Sequence, residues 1–176
     1  MNKMSEMCKM LLTIAQITHI IKSQAQEEVV MKIDGTKIQD INQSVPGIVL
    51  LSHGPLSSGL LGSLRLISGD VDNVTAFQLE EGDDPNEFSN AFIELYEALP
   101  EKSVFLIDVF GGTPFNETLK YFLKKGTMIR AVCGVNLGML MEACVTRENT
   151  DHDFFIDLEA IGQQCVIDVH KKWESQ

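Results

Sequence analysis

The sequence lacks several features that would assign it to common classes of protein. No apolar run approaches the ~20 residues that span a bilayer, and the four cysteines form neither a CxxC pair nor a metal-type spacing. Basic residues are also scarce: 14 Lys and Arg stand against 25 Asp and Glu, for a formal net charge of −11. These absences argue against a membrane-spanning chain, a disulfide or zinc scaffold, and a nucleic-acid binder, since an acidic surface repels nucleic-acid phosphates. We expect a cytoplasmic protein with reduced cysteines.

What the sequence does contain, from residue 47 onward, is an alternation of short apolar runs and helical patterns. The predicted strands cover residues 47–52, 74–79, 103–108 and 128–133, and the predicted helices cover 56–68, 84–99, 114–124, 138–146 and 154–162. Strands that alternate with helices of about ten or more residues predict a three-layer, doubly wound α/β fold with a mainly parallel sheet. The segment "CVIDVH", residues 165–170, predicts a last strand.

Residues 1–46 have a different pattern from the rest of the chain. We predict that they form an N-terminal extension, to which the sequence assigns no role, and that residues 47–172 form one domain. Within the extension, residues 4–21 have the apolar spacing of a helix. The segment "VVMKIDGTKIQDI" predicts a short hairpin with its turn at Asp34 and Gly35.

Two of the predicted strands end at side chains that can carry out chemistry. The buried run "GIVLLSHG" ends at His53, and Asp108 ends the strand at 103–108. In open α/β sheets, ligands bind outside the carboxyl ends of the strands, where the winding direction reverses. If these two strands are neighbours, His53 and Asp108 converge at that edge. A carboxylate that accepts the Nδ1 proton then leaves the Nε2 lone pair as a nucleophile near neutral pH.

The segments beside His53 are suited to hold an anion. Gly54 stands at the start of the helix predicted at 56–68, where free N–H groups and the helix dipole favour negative charge. Gly111 and Gly112 would let backbone N–H groups approach a ligand closely, and Thr113 adds a hydroxyl at the start of the next helix. Each feature alone has an ordinary structural explanation. Their joint occurrence at one sheet edge predicts a phosphoryl group carried on His53.

The motifs, taken in order, resemble those of a known family. "HG" after a buried strand, "DVFGGTPFN" about 55 residues later and then "GVNLGMLMEA" are similar to the mannose-type enzyme IIA of the bacterial phosphoenolpyruvate-dependent sugar phosphotransferase system. The resemblance covers roughly residues 47–172, and the block D-x-x-G-G-S/T-P-F/Y-N at 108–116 is its most specific part. It implies that His53 is the phosphorylated histidine, that Asp108 is its hydrogen-bonded partner, and that residues 111–113 form the phosphate-binding loop.

The same resemblance implies partners and an assembly. Such proteins take phosphate from the general histidine-containing phosphocarrier protein and pass it to a sugar-specific enzyme IIB, with no metal or organic cofactor. They meet the membrane permease components indirectly, and those components and enzyme IIB set the sugar. The resemblance also implies a homodimer in which the last strand, at residues 165–170, crosses antiparallel to the partner at the sheet edge.

The same residues allow other interpretations. A histidine-type phosphatase needs an arginine before its histidine, where this chain has Ser52, and a second histidine in the site, whereas His152 and His170 come late in the chain. A nucleotide-binding α/β domain would have a GxGxxG motif or a P-loop, and neither is present. A phosphorylation-sensing regulatory module stays open. So does the phosphocarrier subunit of dihydroxyacetone kinase, although the "GGTPFN" block favours the sugar system.

Overall fold

The computed structural model describes residues 31–149 and 151–174, which form a five-stranded sheet with helices. The strands are β1 (Lys32–Gly35), β2 (Ile48–His53), β3 (Val74–Leu79), β4 (Val104–Ile107) and β5 (Ala131–Cys133). The helices are α1 (Leu56–Ser68), α2 (Pro85–Ala98), α3 (Thr113–Lys125), α4 (Leu137–Thr146), α5 (Leu158–Gln164) and α6 (Val169–Glu174), with short 3-10 helices at Ile38–Asp40 and Phe154–Asp157. The helix predicted at 4–21 lies outside the described residues. Within them, no helix is long and apolar enough to cross a bilayer.

The strand order places the predicted site where the chain reverses its winding. The order is β1-β3-β2-β4-β5, with β2 to β5 parallel to one another and β1 antiparallel to β3. The chain runs from β2 outward to β3 on one side and then returns to β4 on the other side of β2. The strands that end at His53 and before Asp108 are therefore neighbours, at the switch point where α/β sheets bind ligands. The α/β class and the mainly parallel sheet agree with the sequence prediction.

The central strand β2 is buried on both faces, which explains its unbroken apolar run. Successive strand residues point to opposite faces of a sheet. Ile48 and Leu50 accordingly join a hydrophobic cluster with residues of α1 and α4, whereas Val49 and Leu51 join a second cluster with residues of α2 and α3. All four side chains are fully buried, and each contributes about 1.5–3 kcal/mol relative to exposure. This two-sided burial holds the register that puts His53 at the sheet edge.

The predicted last strand at residues 165–170 is wrong. Instead of a strand, the segment leads into helix α6, which begins at Val169. The carboxylate of Asp168 accepts the backbone N–H groups of His170 and Lys171 at 3.1 and 3.2 Å, as a helix N-cap does. This local cap satisfies N–H groups that a strand would satisfy only through a neighbouring strand. The antiparallel strand of the described sheet is β1.

The predicted hairpin around Asp34 and Gly35 is also wrong. Residues Lys32–Gly35 do not pair with the residues that follow them; they pair with β3, for example Ile33 with Phe77. Residues Ile38–Asp40 form a 3-10 helix where the second arm of the hairpin was expected. Part of the predicted N-terminal extension therefore contributes an edge strand to the sheet.

Candidate functional site

The carboxyl ends of β2 and β4 bring His53 and Asp108 into direct contact. Nδ1 of the His53 imidazole lies 2.8 Å from Oδ2 of Asp108. The same oxygen accepts the backbone N–H of His53 at 2.8 Å, and Oδ1 accepts the backbone N–H of Val109 at 2.7 Å. The Asp108 side chain is 11% exposed and the His53 side chain 46%. A well-held carboxylate thus occupies Nδ1 of a half-exposed imidazole, and Nε2 is the ring nitrogen that remains for a reactant.

This contact forms at the point where the ladder between β2 and β4 ends. Leu51 is paired with Ile107, and the backbone N–H of Asp108 still donates to the Leu51 carbonyl at 3.1 Å. The next donor along β2, the N–H of His53, goes to the Asp108 carboxylate instead of a backbone carbonyl. The side chain therefore replaces one rung of the ladder. Its position is therefore set by the pairing of β2 with β4.

The turn after His53 is held by Ser52, a residue whose role could not be predicted from the sequence. Ser52 is fully buried; its hydroxyl donates to the Gly54 carbonyl at 2.9 Å and accepts the N–H of Ser57, in the first turn of α1, at 2.9 Å. The backbone N–H of Gly54 donates to the Leu79 carbonyl at 2.8 Å. That N–H is already used within the protein, so Gly54 shapes the turn here and does not offer a free donor. The one available signal was a small hydroxyl at the end of an otherwise aliphatic strand.

The second glycine loop lies against the imidazole. A Cβ atom on Gly112 would stand 2.5 Å from Cε1 and 3.3 Å from Nε2 of His53, so a larger residue there would have to displace the ring. Gly111 has a φ of +82°, a conformation that side chains other than glycine rarely adopt. Thr113 is the first residue of α3, whose first-turn N–H groups have no intrahelical acceptors. The loop predicted to bind an anion therefore adjoins the predicted nucleophile.

Cys133, at the end of β5, is a further neighbour of the site. It pairs with Ile107, and the following N–H, of Gly134, donates to the Asp108 carbonyl at 3.1 Å. Burial, and then the negative charge of Asp108, raise the pKa of the Cys133 thiol to about 11. The thiol is therefore protonated at neutral pH. It is a poor competitor for the role of nucleophile at this edge.

The other two described histidines contact carboxylates in the C-terminal part of the described chain. Nε2 of His152 is 2.5 Å from Oδ2 of Asp157, and Nε2 of His170 is 3.3 Å from Oε1 of Glu174. Both are at least half exposed and contact acidic residues close in sequence. Neither contact involves His53, which weakens the phosphatase interpretation.

Exposed apolar side chains stand on the segments that follow His53 and Asp108, and they are called the apolar rim below. Phe110 is 76% exposed and its ring packs on that of Phe115, with the centroids 4.5 Å apart. Val109 follows Asp108, and Leu56 is the first residue of α1. Each of these side chains is about half exposed. An imidazole within an exposed apolar rim is accessible to another protein's surface as well as to a small molecule.

Comparisons with known proteins agree on one family. A family model described as PTS system fructose IIA component matches residues 47–158. The chain is 29% identical to the fructose-specific EIIA component of Bacillus subtilis over 120 residues, which cover 66% of this chain and 82% of that one. It is 30% identical over 121 residues to the mannose-specific EIIAB component of Escherichia coli, covering 65% of this chain but 35% of that longer protein.

Solved structures show the same relationship. The phosphotransferase system component EIIA from Streptococcus agalactiae superimposes with a TM-score of 0.66 and 27% identity, covering 71% of this chain and 98% of that chain. The mannose/sorbose specific IIA subunit from Enterococcus faecalis superimposes with a TM-score of 0.62 and 28% identity, covering 71% and 95%.

Proposed function

The chain belongs to the mannose-type IIA family of the sugar phosphotransferase system, and from this premise we propose that it is a phosphocarrier that works through His53. It accepts phosphate from the general histidine-containing phosphocarrier protein and passes it to enzyme IIB. The observation that carries the proposal is the 2.8 Å contact between Nδ1 of His53 and Asp108. A carboxylate on Nδ1 requires the tautomer with its lone pair on Nε2, which is the form that attacks phosphorus.

The transfer step needs no proton to be moved. The Nε2 lone pair of His53 forms a bond to phosphorus, while the P–N bond of the donor phosphohistidine breaks and its electron pair returns to the donor ring. His53 keeps its Nδ1 proton, which stays hydrogen-bonded to Asp108. The ring gains positive character as the new P–N bond forms, and the adjacent carboxylate stabilises that charge. The reverse sequence delivers the phosphoryl group to an acceptor group of enzyme IIB.

The phosphoryl oxygens would be held by the glycine loop and the start of α3. We assign Gly111, Gly112 and Thr113 to this role because Gly112 touches the imidazole and the N–H groups at the start of α3 are oriented for an anion. Gly54, which the sequence also suggested, would contribute only the shape of the turn, since its N–H donates to Leu79. Phosphoryl transfer depends mainly on positioning and electrostatic stabilisation, so this set of groups is sufficient.

The apolar rim is the surface that both protein partners would cover. Phe110, Val109 and Leu56 are exposed on the two segments that follow Asp108 and His53, and the proposed nucleophile must receive phosphate from one protein and deliver it to another. A partner docked on this rim would exclude water from the reacting atoms and strengthen the electrostatic contacts there.

We place the exchange in the cytoplasm, with the membrane permease reached through enzyme IIB. The relatives named above are described as specific for fructose, for mannose, or for mannose and sorbose, so the sugar stays unassigned.

We also propose a homodimer, formed across the outer edge of β5, which pairs with no further strand in the described part of the chain. A cleft of about 1030 Å³ follows this edge and is lined by apolar side chains, among them Met128, Ile156 and Val166, each more than half exposed. A second copy would bury this surface and cover the unpaired strand edge. Sedimentation at micromolar concentration should show a species of twice the chain mass. A monomer at that concentration would contradict the proposal.

Phosphorylation of the purified protein tests the function. Incubation with phosphoenolpyruvate, enzyme I and the general phosphocarrier should give phosphate that is acid-labile and stable in base, as expected for phosphohistidine. His53→Ala should abolish the label, whereas the matched control His152→Ala should keep it. Full labelling of the His53→Ala variant would eliminate the proposed site.

A further inference from the structure

Asn116 closes the sequence block that begins at Asp108, and it contacts the glycine loop beside His53. Its side-chain Nδ2 donates to the Gly111 carbonyl at 3.0 Å. Its backbone N–H donates to the Gly112 carbonyl at 2.9 Å, which is an ordinary helical bond at the start of α3. One residue therefore anchors two consecutive carbonyls of the loop, and the first of these bonds is not part of the helix.

The side-chain bond determines how the peptide between Gly111 and Gly112 is oriented. No peptide bond in the described residues is cis, so in this peptide the Gly111 carbonyl and the Gly112 N–H point in opposite directions. Anchoring the carbonyl on Asn116 therefore also fixes the direction of the Gly112 N–H, which points the opposite way within the same peptide plane. Gly112 is also the residue that lies against the imidazole of His53.

A glycine pair needs such an anchor. Gly111 and Gly112 have no side chains to restrict their backbone, so the peptide between them rotates more readily than most. The packing of Phe110 on Phe115 holds the two ends of the loop together, but ring contacts do not select one orientation of the intervening peptide. The Asn116 side chain is the described contact that does so.

We propose that Asn116 is a positioning residue, which holds the Gly111 carbonyl and thereby aims the Gly112 N–H at the phosphoryl oxygens on Nε2 of His53. The proposal rests on the phosphocarrier function proposed above. Asn116 acts through the loop and not through contact with the reacting atoms. A donor that is already oriented toward developing charge stabilises it without reorganisation, and this advantage is lost when the peptide can rotate.

The test is the equilibrium between the phosphorylated general phosphocarrier and the full-length chain. Asn116→Ala should lower the equilibrium constant for phosphoryl transfer to this chain, called the transfer constant below, by about five- to tenfold. The reason is that one charge-assisted hydrogen-bond donor is held less firmly. In ¹H–¹⁵N spectra, phosphorylation should shift the Gly112 amide strongly in the unaltered protein and clearly less in this variant. The control is Asn42→Ala, which removes the hydrogen bond from the Asn42 side-chain amide to Asp72 at the opposite edge of the sheet. It should change neither the transfer constant nor the shift of the Gly112 amide.

A second variant separates positioning from stability. In Asn116→Asp the carboxylate cannot donate to the Gly111 carbonyl, yet a negative charge in the first turn of α3 is favourable to the helix. We expect the melting temperature to hold or rise while the transfer constant falls at least as far as in Asn116→Ala. The role of Asn116 would be overturned if both variants had transfer constants within twofold of the unaltered protein. It would also be overturned if phosphorylation shifted the Gly112 amide in Asn116→Ala as far as in the unaltered protein. An unaltered chain that takes no label from the phosphocarrier would overturn the proposed function itself, together with this role.

Discussion

The two edges of the parallel sheet are built from different chemistry. At the carboxyl edge, an acid, a histidine and backbone N–H groups surround an exposed glycine loop. At the amino edge, two arginines donate to the carbonyls that precede the strands. Arg147 is 4% exposed and bonds to Pro46 at 3.0 Å and Asp72 at 2.6 Å. Arg130 bonds to the carbonyls of Lys102 and Ser103, at 2.7 and 3.2 Å.

The difference lies in what the hydrogen-bonding groups at each edge contact within the protein. At the amino edge, guanidinium groups satisfy the protein's own backbone, so these cations contribute to stability. At the carboxyl edge, the start of α3 presents N–H groups that a phosphoryl anion would satisfy. Changes at the carboxyl edge should therefore alter transfer with little effect on stability, and changes at the amino edge should do the reverse.

Among the substitutions that compare the two edges, Asp108→Asn is expected to have the largest effect. Both oxygens of Asp108 accept backbone N–H groups, from His53 and Val109, so an amide must turn its NH₂ group toward one of these donors or toward the ring. An NH₂ group in the Oδ2 position would donate to Nδ1 and put the ring proton on Nε2, whereas one in the Oδ1 position would keep the tautomer but lose the bond from Val109. Both arrangements remove the negative charge beside the ring. We expect the transfer rate to fall about 10²- to 10³-fold, somewhat less than for a catalytic-triad aspartate. Rapid-quench measurement of labelled protein checks this, with Asp72→Asn at the amino edge as the matched control. A rate within threefold of normal would contradict the role of Asp108.

Arg147→Met tests the other side of the comparison. The substitution leaves the carbonyls of Pro46 and Asp72 without their buried donor, and we expect a loss of about 2–4 kcal/mol in the free energy of unfolding. Urea denaturation measures this loss, and well below the midpoint the transfer rate should be unchanged. In contrast, Arg65→Ala removes a partly exposed ion pair with Asp34 and should cost less than about 1 kcal/mol. Equal losses in the two variants would show that the buried hydrogen bonds of Arg147 stabilise the fold no more than an exposed ion pair does.

Gly112→Ala should have a smaller effect, confined to the site. The new Cβ would meet Cε1 of His53, and the ring would have to move away from Asp108. We expect about tenfold slower transfer, close to 1.4 kcal/mol in barrier, with the fold retained. Gly59→Ala in α1 is the matched control, because a Cβ there meets nothing within 4 Å and alanine favours a helix. Unimpaired transfer in Gly112→Ala would mean that the loop does not constrain the ring.

The smallest effect concerns pH and the amino edge. Hydrogen bonds from Arg130, the largest influence, hold the pKa of Asp153 below its ordinary value. A lowered folded-state pKa contributes stability that is present above the unfolded value and is lost as the pH falls below about 4, through the folded pKa. Asp153→Asn should therefore flatten the fall in unfolding free energy in that acid range, by at most about 1 kcal/mol. If urea titrations gave the same fall in unfolding free energy at acid pH for the variant and the unaltered protein, the contact between Arg130 and Asp153 would contribute nothing to stability.

The sequence was sufficient to predict the contact between His53 and Asp108 because both residues follow short apolar runs. Burial on both faces makes such runs central parallel strands, and their carboxyl ends meet at one edge. The place of Gly112 beside the site could also be predicted, because it comes directly before Thr113 and Pro114 at the start of a helix. These inferences need only local patterns and one rule of topology.

Other features depended on contacts between distant residues. The bond from Gly54 to Leu79 exists because β3 lies beside β2, which no local pattern reveals. Residues 165–170 alternate like a strand, but Asp168 provides a cap that starts a helix. The edge strand Lys32–Gly35 finds its partner in β3, about 40 residues later, so its short pattern predicted a local hairpin instead.

The most direct test of the account is a long-range ¹H–¹⁵N spectrum of the His53 ring before and after phosphorylation. The account predicts a proton on Nδ1 in both states and the phosphoryl group on Nε2, with the Nδ1 proton shifted far downfield by its bond to Asp108. Phosphate found on Nδ1, or on a residue other than His53, would contradict it.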